Sequence, residues 1–199
     1  MAGKKLKVAP VVEPVSVDEA RLHLRVDKHD LEDSAIDEII RAARVDAEAF
    51  QNRAYVTQTW EFYFDLGTLF RWRALRVPLP PLQSVTEVAY RTSAGAWVPW
   101  VQNTDYFVDT IGEPGFVVFT DAAGIPSDSS GYWEVNPIRV TAVVGYGAPE
   151  DVPASIRQAI LLMVGHFYEN REAVVVGTIS SPLPMGVKSL LSKERVMPV

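Results

Sequence analysis

DVPASIRQAILLMVGHFYENREA, residues 151–173, carries the start and stop signals of a helix together with more apolar surface than one buried stripe requires. Asp151 and Pro153 mark the start, because proline is tolerated in a first turn whose N–H groups have no helical partner anyway. Ile156, Ala159, Ile160, Met163, Val164 and Phe167 recur at helical spacing and make one core stripe. Leu161, Leu162, Gly165 and Tyr168 cover much of the remaining circumference, leaving Arg157, Gln158, Glu169 and Asn170 as the polar minority. A helix apolar nearly all round is buried on more than one side. Its cover is expected from a sheet of the same chain or from a neighbouring subunit.

The stripe has a natural partner upstream. In SAIDEIIRAARVDAEAFQNR, residues 34–53, Ile36, Ile39, Ile40, Ala43, Ala47 and Phe50 form an apolar stripe at the same period. The other face is polar: Asp37 precedes Arg41 and Arg44 precedes Glu48 by four residues, the acid–base spacing that supports a solvated helix face. Asp30 or Asp33 is expected to cap its start. Before it, VSVDEARLHL (15–24) offers a short helix opened by a capping box, Ser16 with Glu19, and by Asp18 in the first turn. The N-terminal residues 1–15 read as a flexible arm.

Between the helical segments the period falls to 2. YVTQTWEFYF (55–64) alternates Gln58, Trp60, Phe62 and Phe64 against Thr57, Thr59, Glu61 and Tyr63, as a strand does. RWRALRVPLPPLQSVTEVAY (71–90) predicts two more strands around a proline-rich bend, and Ser93-Ala94-Gly95 a hairpin turn into AWVPWV. DYFVDTIGEPGFVVF (105–119) predicts a further pair, joined by a type II turn at Glu113-Pro114-Gly115. IRVTAVV (138–144) is the last strand. The expectation is an α+β chain: helical core segments at 16–54 and 148–175, an inserted antiparallel β block at 55–147, and an extended C-terminal tail at 176–199. That tail holds a short amphipathic piece, Val187, Leu190 and Leu191 beside Lys188, Lys193 and Arg195, with too little apolar surface to fold on itself.

Composition bounds the function. At 199 residues, 48% hydrophobic and 22% charged, the chain can bury a real core. A net charge of -6 gives no general attraction to phosphate backbones. The absence of cysteine removes disulfides, thiol nucleophiles and cysteine-based zinc sites, and suits a reducing cytosol. No signal peptide or membrane-spanning run is apparent, so a soluble protein is expected.

Chemistry is thinly signalled. His23, His29 and His166 fall on separate elements, without the convergent three or four ligands of a zinc site. Asp27, Asp30 and Asp33 do not follow the calcium-loop order. GYGAPED (145–151) sits between a strand and a helix but lacks the third glycine of a dinucleotide loop and the lysine of a P-loop, and it places acids where a phosphate would lie. A nucleophile elbow is absent, and Glu61 with Asp65 looks no different from other strand carboxylates. Trp60, Trp72, Trp97, Trp100 and Trp133 lie in the strand block, where core and interface roles outweigh stacking on sugars or bases. No cofactor and no enzymatic activity are expected.

The order of the parts is more informative than any single motif. PVSVDEARLHLRVD, DSAIDEIIRAARVDAEAFQNRAYVTQTWEFYFD, LPPLQSVTEVAY, YFVDTIGEPGFV, VTAVVGYGAPEDVPASIRQAILLMVGHFYENREAV and PMGVKSLLSKERV succeed one another between Pro14 and Arg195. In this order the chain resembles the head-tail connector, or adaptor, proteins of tailed bacteriophages and gene transfer agents. The resemblance implies a structural particle protein, made in the bacterial host cytoplasm and located in the head-tail neck. It would form a ring, typically dodecameric, under the portal, join the filled capsid to the stopper and tail, and let genomic DNA pass without tight binding. It further implies subunit contacts on the two long helices, for which Arg157, Leu161, Leu162, Gly165, Tyr168, Arg41 and Arg44 are the candidates. Portal docking would fall to the tail, through Pro184, Met185, Val187, Leu190, Leu191 and Arg195. The lumen lining is expected to include acids of DKHDLED, with Asp27, Asp30 and Asp33 as the candidates, or of the exposed face of helix 34–52, since acids do not hold phosphates. A stopper or tail-completion protein is the nearest alternative, and a carbohydrate- or receptor-binding β module a more distant one.

Overall fold

The computed structural model describes residues 3–27, 30–124, 135–170 and 185–197. In chain order these form β1 (Gly3–Val8), α1 (Val17–Leu24), α2 (Asp30–Gln51), β2 (Gln58–Phe64), α3 (Leu66–Trp72), β3 (Ala74–Arg76), β4 (Leu82–Arg91), β5 (Trp97–Trp100), β6 (Tyr106–Asp109), β7 (Phe116–Phe119), β8 (Ile138–Val144), α4 (Ala154–Glu169) and α5 (Met185–Ser192). The chain is α+β and divides into two compact units, one of β1 with the segment Thr57–Tyr146, the other of Val11–Val56 with Gly147–Pro198.

The β unit holds a five-stranded antiparallel sheet of order β1-β2-β8-β4-β5 and a three-stranded one of order β3-β7-β6. Alternation along β2 sets the faces: Phe62 and Phe64 pair in register with Val140 and Ile138 of β8, and Val88 and Tyr90 of β4 continue the same apolar face. Trp100 of β5 meets Phe119 of β7 edge-on at 4.9 Å and donates its indole N–H to the Ala123 carbonyl at 2.9 Å, so the small sheet is anchored at the β5 end. The opposite face of the large sheet is polar. There Glu61 takes the Tyr63 hydroxyl at 2.8 Å and Lys7 at 3.5 Å, while Arg139 pairs with Glu87 at 2.8 Å and lies 4.5 Å from the Trp97 ring.

The helical unit is built on two expected stripes. Ile36, Ile40, Ala43 and Ala47 of α2 and Ile156, Ala159, Ile160, Met163 and Val164 of α4 are fully buried where the two helices pack. The alanines let the axes approach, which is why α2 spends its core positions on small side chains there. Helix α1 packs on both, opened by the expected capping box: Glu19 N–H donates to the Ser16 hydroxyl at 3.2 Å and the Ser16 N–H to the Glu19 carboxylate at 2.9 Å.

Several expectations need correction. The N-terminal arm is not loose, because residues 3–8 are the edge strand β1, paired with β2. The alternation of lysines with Leu6 and Val8 was its signal. Helix α3, LGTLFRW, lies in what reads as strand territory and buries Leu69. The expected extended tail contains α5, whose Val187 and Leu191, four apart, are fully buried in the helical unit. The Glu113-Pro114-Gly115 turn is not type II, since Gly115 does not take a positive φ. Its glycine is required instead by close approach: a Cβ would stand 2.5 Å from Leu82 Cδ2 and 2.7 Å from the Asp109 carbonyl. The hairpin at 93–95 forms as expected, with Gly95 at φ 89°. Gly115→Ala is therefore expected to cost about 1–3 kcal/mol through overpacking, whereas Gly67→Ala, with nothing near the added carbon, should cost nothing comparable; urea denaturation of both variants measures the difference.

Candidate functional site

The second face of α4 carries apolar side chains that the subunit's own core does not take up. Its first stripe is spent on the core, but Leu162 is exposed and Leu161, Gly165, Phe167 and Tyr168 are half-buried. Helix α1 lies along the same side: a Cβ on Gly165 would stand 3.7 Å from His23 Nε2, an ordinary van der Waals contact, so the helices meet here with room for a side-chain carbon. His166 is half-buried, with Asn170 bonded to its carbonyl at 2.8 Å. Arg157 leaves α4 to pair with Glu19 of α1. Glu19 thus serves both the cap and the ion pair. Its carboxyl is held below the ordinary value near 4.5, chiefly by the Ser16 backbone N–H, with the Ser16 hydroxyl and Arg157 adding to the effect against the opposing influence of burial.

The two arginines of α2 divide in role. Arg41 is exposed and spans Asp37 at 3.0 Å and Glu38 at 3.2 Å, leaving it on the surface as expected. Arg44 is only 6% exposed. It pairs with Glu48 at 2.7 Å and with Glu13 at 2.6 Å, and so ties the segment before α1 onto α2. Burial opposes its charge, but the hydrogen bonds and fields of the two carboxylates outweigh that and hold the guanidinium above its ordinary value. Arg44 is a brace within the subunit rather than a group offered to a neighbour. The Arg44–Glu48 spacing was legible, whereas Glu13 could not be connected to it without the fold.

The C-terminal segment is held by three consecutive residues at the end of α2. Gln51 donates to the Leu191 carbonyl at 2.6 Å, Asn52 to the Val196 carbonyl at 2.9 Å, and Arg53 to the Glu194 carbonyl at 2.5 Å. The Val196 N–H returns a bond to the Gln51 carbonyl at 2.9 Å, and the Tyr55 hydroxyl fixes the Gln51 amide at 2.7 Å. A run of polar residues where a helix stops was the one signal for this clamp. Of the residues expected to dock a partner, Val187 and Leu191 are instead in the subunit's own core. Met185 and Arg195 are exposed and Leu190 is half-buried, while Pro184 lies outside the described residues. Arg195 stacks over Phe50 at 4.7 Å.

The acids expected to line a lumen lie around the junction of α1 and α2. Asp27 is exposed, and Asp33 pairs with Arg21 at 3.3 Å. Asp30 begins α2, its side chain lying outside the described residues. In the β unit Trp100 is buried, Trp60 and Trp97 are half-buried and Trp72 is exposed; Trp133 lies outside the described residues. By strand register Trp60 and Trp97 occupy opposite faces of the large sheet, so they make no common stacking platform. At the GYGAPED turn, Gly145 and Gly147 take φ 115° and 136°, and the Asp151 carboxylate accepts the Ala148 N–H at 2.9 Å, filling the place a phosphate would need. Among the described residues no group of three or more His, Asp or Glu is arranged to hold a metal ion, and no helix is long and apolar enough to cross a membrane.

No protein-family model matches the chain, and no curated protein matches it. Solved structures do. The chain is similar over its whole length to a chain in the neck of an empty GTA particle computed with C6 symmetry, at TM-score 0.70 and 22% identity, covering 100% of this chain and 97% of that one. A chain of the virion of a native gene transfer agent (GTA) particle aligns at TM-score 0.72 and 19% identity, covering 98% and 96%. A chain in the neck of a native GTA particle computed with C12 symmetry aligns at TM-score 0.66 and 19% identity, covering 98% and 97%. The chain has the fold of these proteins across both of its units.

Arg44→Met, which takes the shared cation from Glu13 and Glu48 while Arg41 stays near Glu13 and the Tyr55 N–H stays on Glu48, is expected to destabilise the protein by about 1–3 kcal/mol, read from a shift in the denaturation midpoint. Because the Glu19 carboxyl is depressed in the folded state, its contribution is complete above the ordinary carboxylate value and is lost as pH falls through the lower folded value. Stability of the wild type should therefore fall more steeply below about pH 4.5 than that of Glu19→Gln, as thermal melts at successive pH values will record.

Proposed function

We propose that the chain is a structural, non-enzymatic subunit of the neck of a gene transfer agent or tailed-phage particle, an adaptor that forms a ring beneath the portal and joins the DNA-filled capsid to the stopper and tail. The observation that carries the reading is the full-length likeness to neck chains. It is supported by the second face of α4, which one subunit leaves partly uncovered. In a cyclic assembly each subunit offers two different patches to two neighbours, and a helix apolar on its core side and again on a neighbour side meets that need.

In this reading Leu161, Leu162, Gly165 and Tyr168 make the subunit contact with Arg157 and Arg41 at its polar margin, and Arg44 stiffens α2 behind it. Twelve copies are the preferred number. Asp27 and Asp33 face DNA that passes without being held, consistent with a net charge of -6. Met185, Leu190 and Arg195, presented on a segment already clamped to the subunit, meet the portal. No cofactor is required. An adaptor is preferred to a stopper or tail-completion protein because the uncovered apolar surface sits on the long helices.

The test is light scattering of the purified protein alone and mixed with its portal, followed by electron microscopy of the mixture. A portal-dependent ring is expected, and its loss in Met185→Asp with Arg195→Glu, at unchanged thermal stability. Failure of the wild type to bind the portal overturns the adaptor reading.

A further inference from the structure

The β unit carries two exposed surfaces at opposite ends, only lightly engaged within the chain: Lys7 reaches Glu61 at 3.5 Å and Lys4 lies 5.4 Å from the Trp60 ring, while Asp105 and Asp109 accept the backbone N–H groups of Val101, Ile111 and Gly112. One is the outer edge of β1. All six residues of GKKLKV are exposed, with Leu6 at 42% and Val8 at 52%, and Lys4, Lys5 and Lys7 give the edge a positive charge in a chain that is negative overall. An edge strand of this kind presents unpaired backbone N–H and C=O groups to a partner. The other surface is the outer face of the small sheet toward β6. There Phe107 is 54% and Val118 44% exposed; they are cross-strand partners, and Asp105 and Asp109 flank Phe107 along the strand.

The two surfaces are far apart on one subunit. β1 and β5 end the five-stranded sheet, and the small sheet is anchored at β5 through Trp100 and Phe119. With neighbouring strands about 4.8 Å apart, four steps separate the ends by about 19 Å. The surfaces cannot cover each other within a chain. Nor does either suit its own copy: β1 against β1 would set lysines opposite lysines, and β6 against β6 aspartates opposite aspartates, both unfavourable. Crossed, they match. Lysines meet aspartates, and Leu6 meets Phe107 and Val118, Val8 lying on the other face of β1 by register.

We propose that the β1 edge of one copy docks on the β6 side of the small sheet of a second copy, head to tail. A heterologous contact of this kind joins successive subunits and closes into a ring when the rotation permits. The proposal deepens the ring reading above and rests on it for closure, whereas the contact itself needs only two copies.

The experiment is sedimentation velocity of full-length protein over a concentration series, using two variants that alter one surface each. Lys4→Glu with Lys5→Glu reverses the β1 charge at exposed positions, and Phe107→Lys with Val118→Lys makes the β6 side positive without touching the core. Each variant alone should self-associate about tenfold or more weakly than the wild type, since like charges then face each other. An equimolar mixture should form a heterodimer, because each variant supplies the surface the other lacks. Circular dichroism melts matching the wild type establish that both are folded. Wild-type oligomers that neither variant weakens overturn this contact and leave the ring reading standing. A wild type that stays monomeric throughout, or a mixture no better than its components, also overturns it.

Discussion

Burial of the Ile156, Ile160 and Met163 stripe of α4 against α2 is the interaction on which the helical unit depends. Each such side chain contributes about 1.5–3 kcal/mol when taken from water, and α1 and α5 both pack on the helix these residues fix. The placing of that stripe dictates what is left over. Once one side of α4 is taken by the core, Leu162 is left exposed and Leu161 and Tyr168 half-buried, with α1 lying beside Gly165. A polar face would have been stable in an isolated subunit, and the apolar one is what the proposed assembly would cover.

The polar contacts of the helical unit secure chain segments rather than chemistry. Arg44 draws Glu13 onto α2, Arg157 draws α1 onto α4, and Gln51, Asn52 and Arg53 hold the C-terminal segment by its backbone carbonyls. Because carbonyls are read rather than side chains, the clamp sets the path of residues 191–196 and leaves Arg195 and Met197 outward. The β unit solves a different problem. It takes one face of its large sheet into an apolar core and lines the other with ion pairs, and apolar surface remains at the β1 edge, on the small sheet and at Trp72, Val101 and Ile111.

Much of this was legible in the residues. The stripes of α2 and α4, the Ser16–Glu19 box and the strands from Gln58 to Val144 follow from period and capping chemistry, which are local properties. What was not legible depended on distant partners. β1 reads as a basic arm until β2 supplies a neighbour, and LGTLFRW has too few residues to declare a period. Val187 and Leu191 look like docking groups because nothing local reveals that α2 and α4 leave room for them. The same limit applies to the candidate site: the excess apolar surface of α4 was visible in the sequence, but the division between core and uncovered residues needed the fold.

The central claim is that the second face of α4 is covered by a neighbouring copy. The chain contains no cysteine, so Leu162→Cys introduces a single thiol at an exposed point of that face, and its rate of alkylation can be compared in dilute subunit and in assembled particles. The account predicts rapid labelling in the subunit and strong protection in the assembly. Equal rates in both would contradict it.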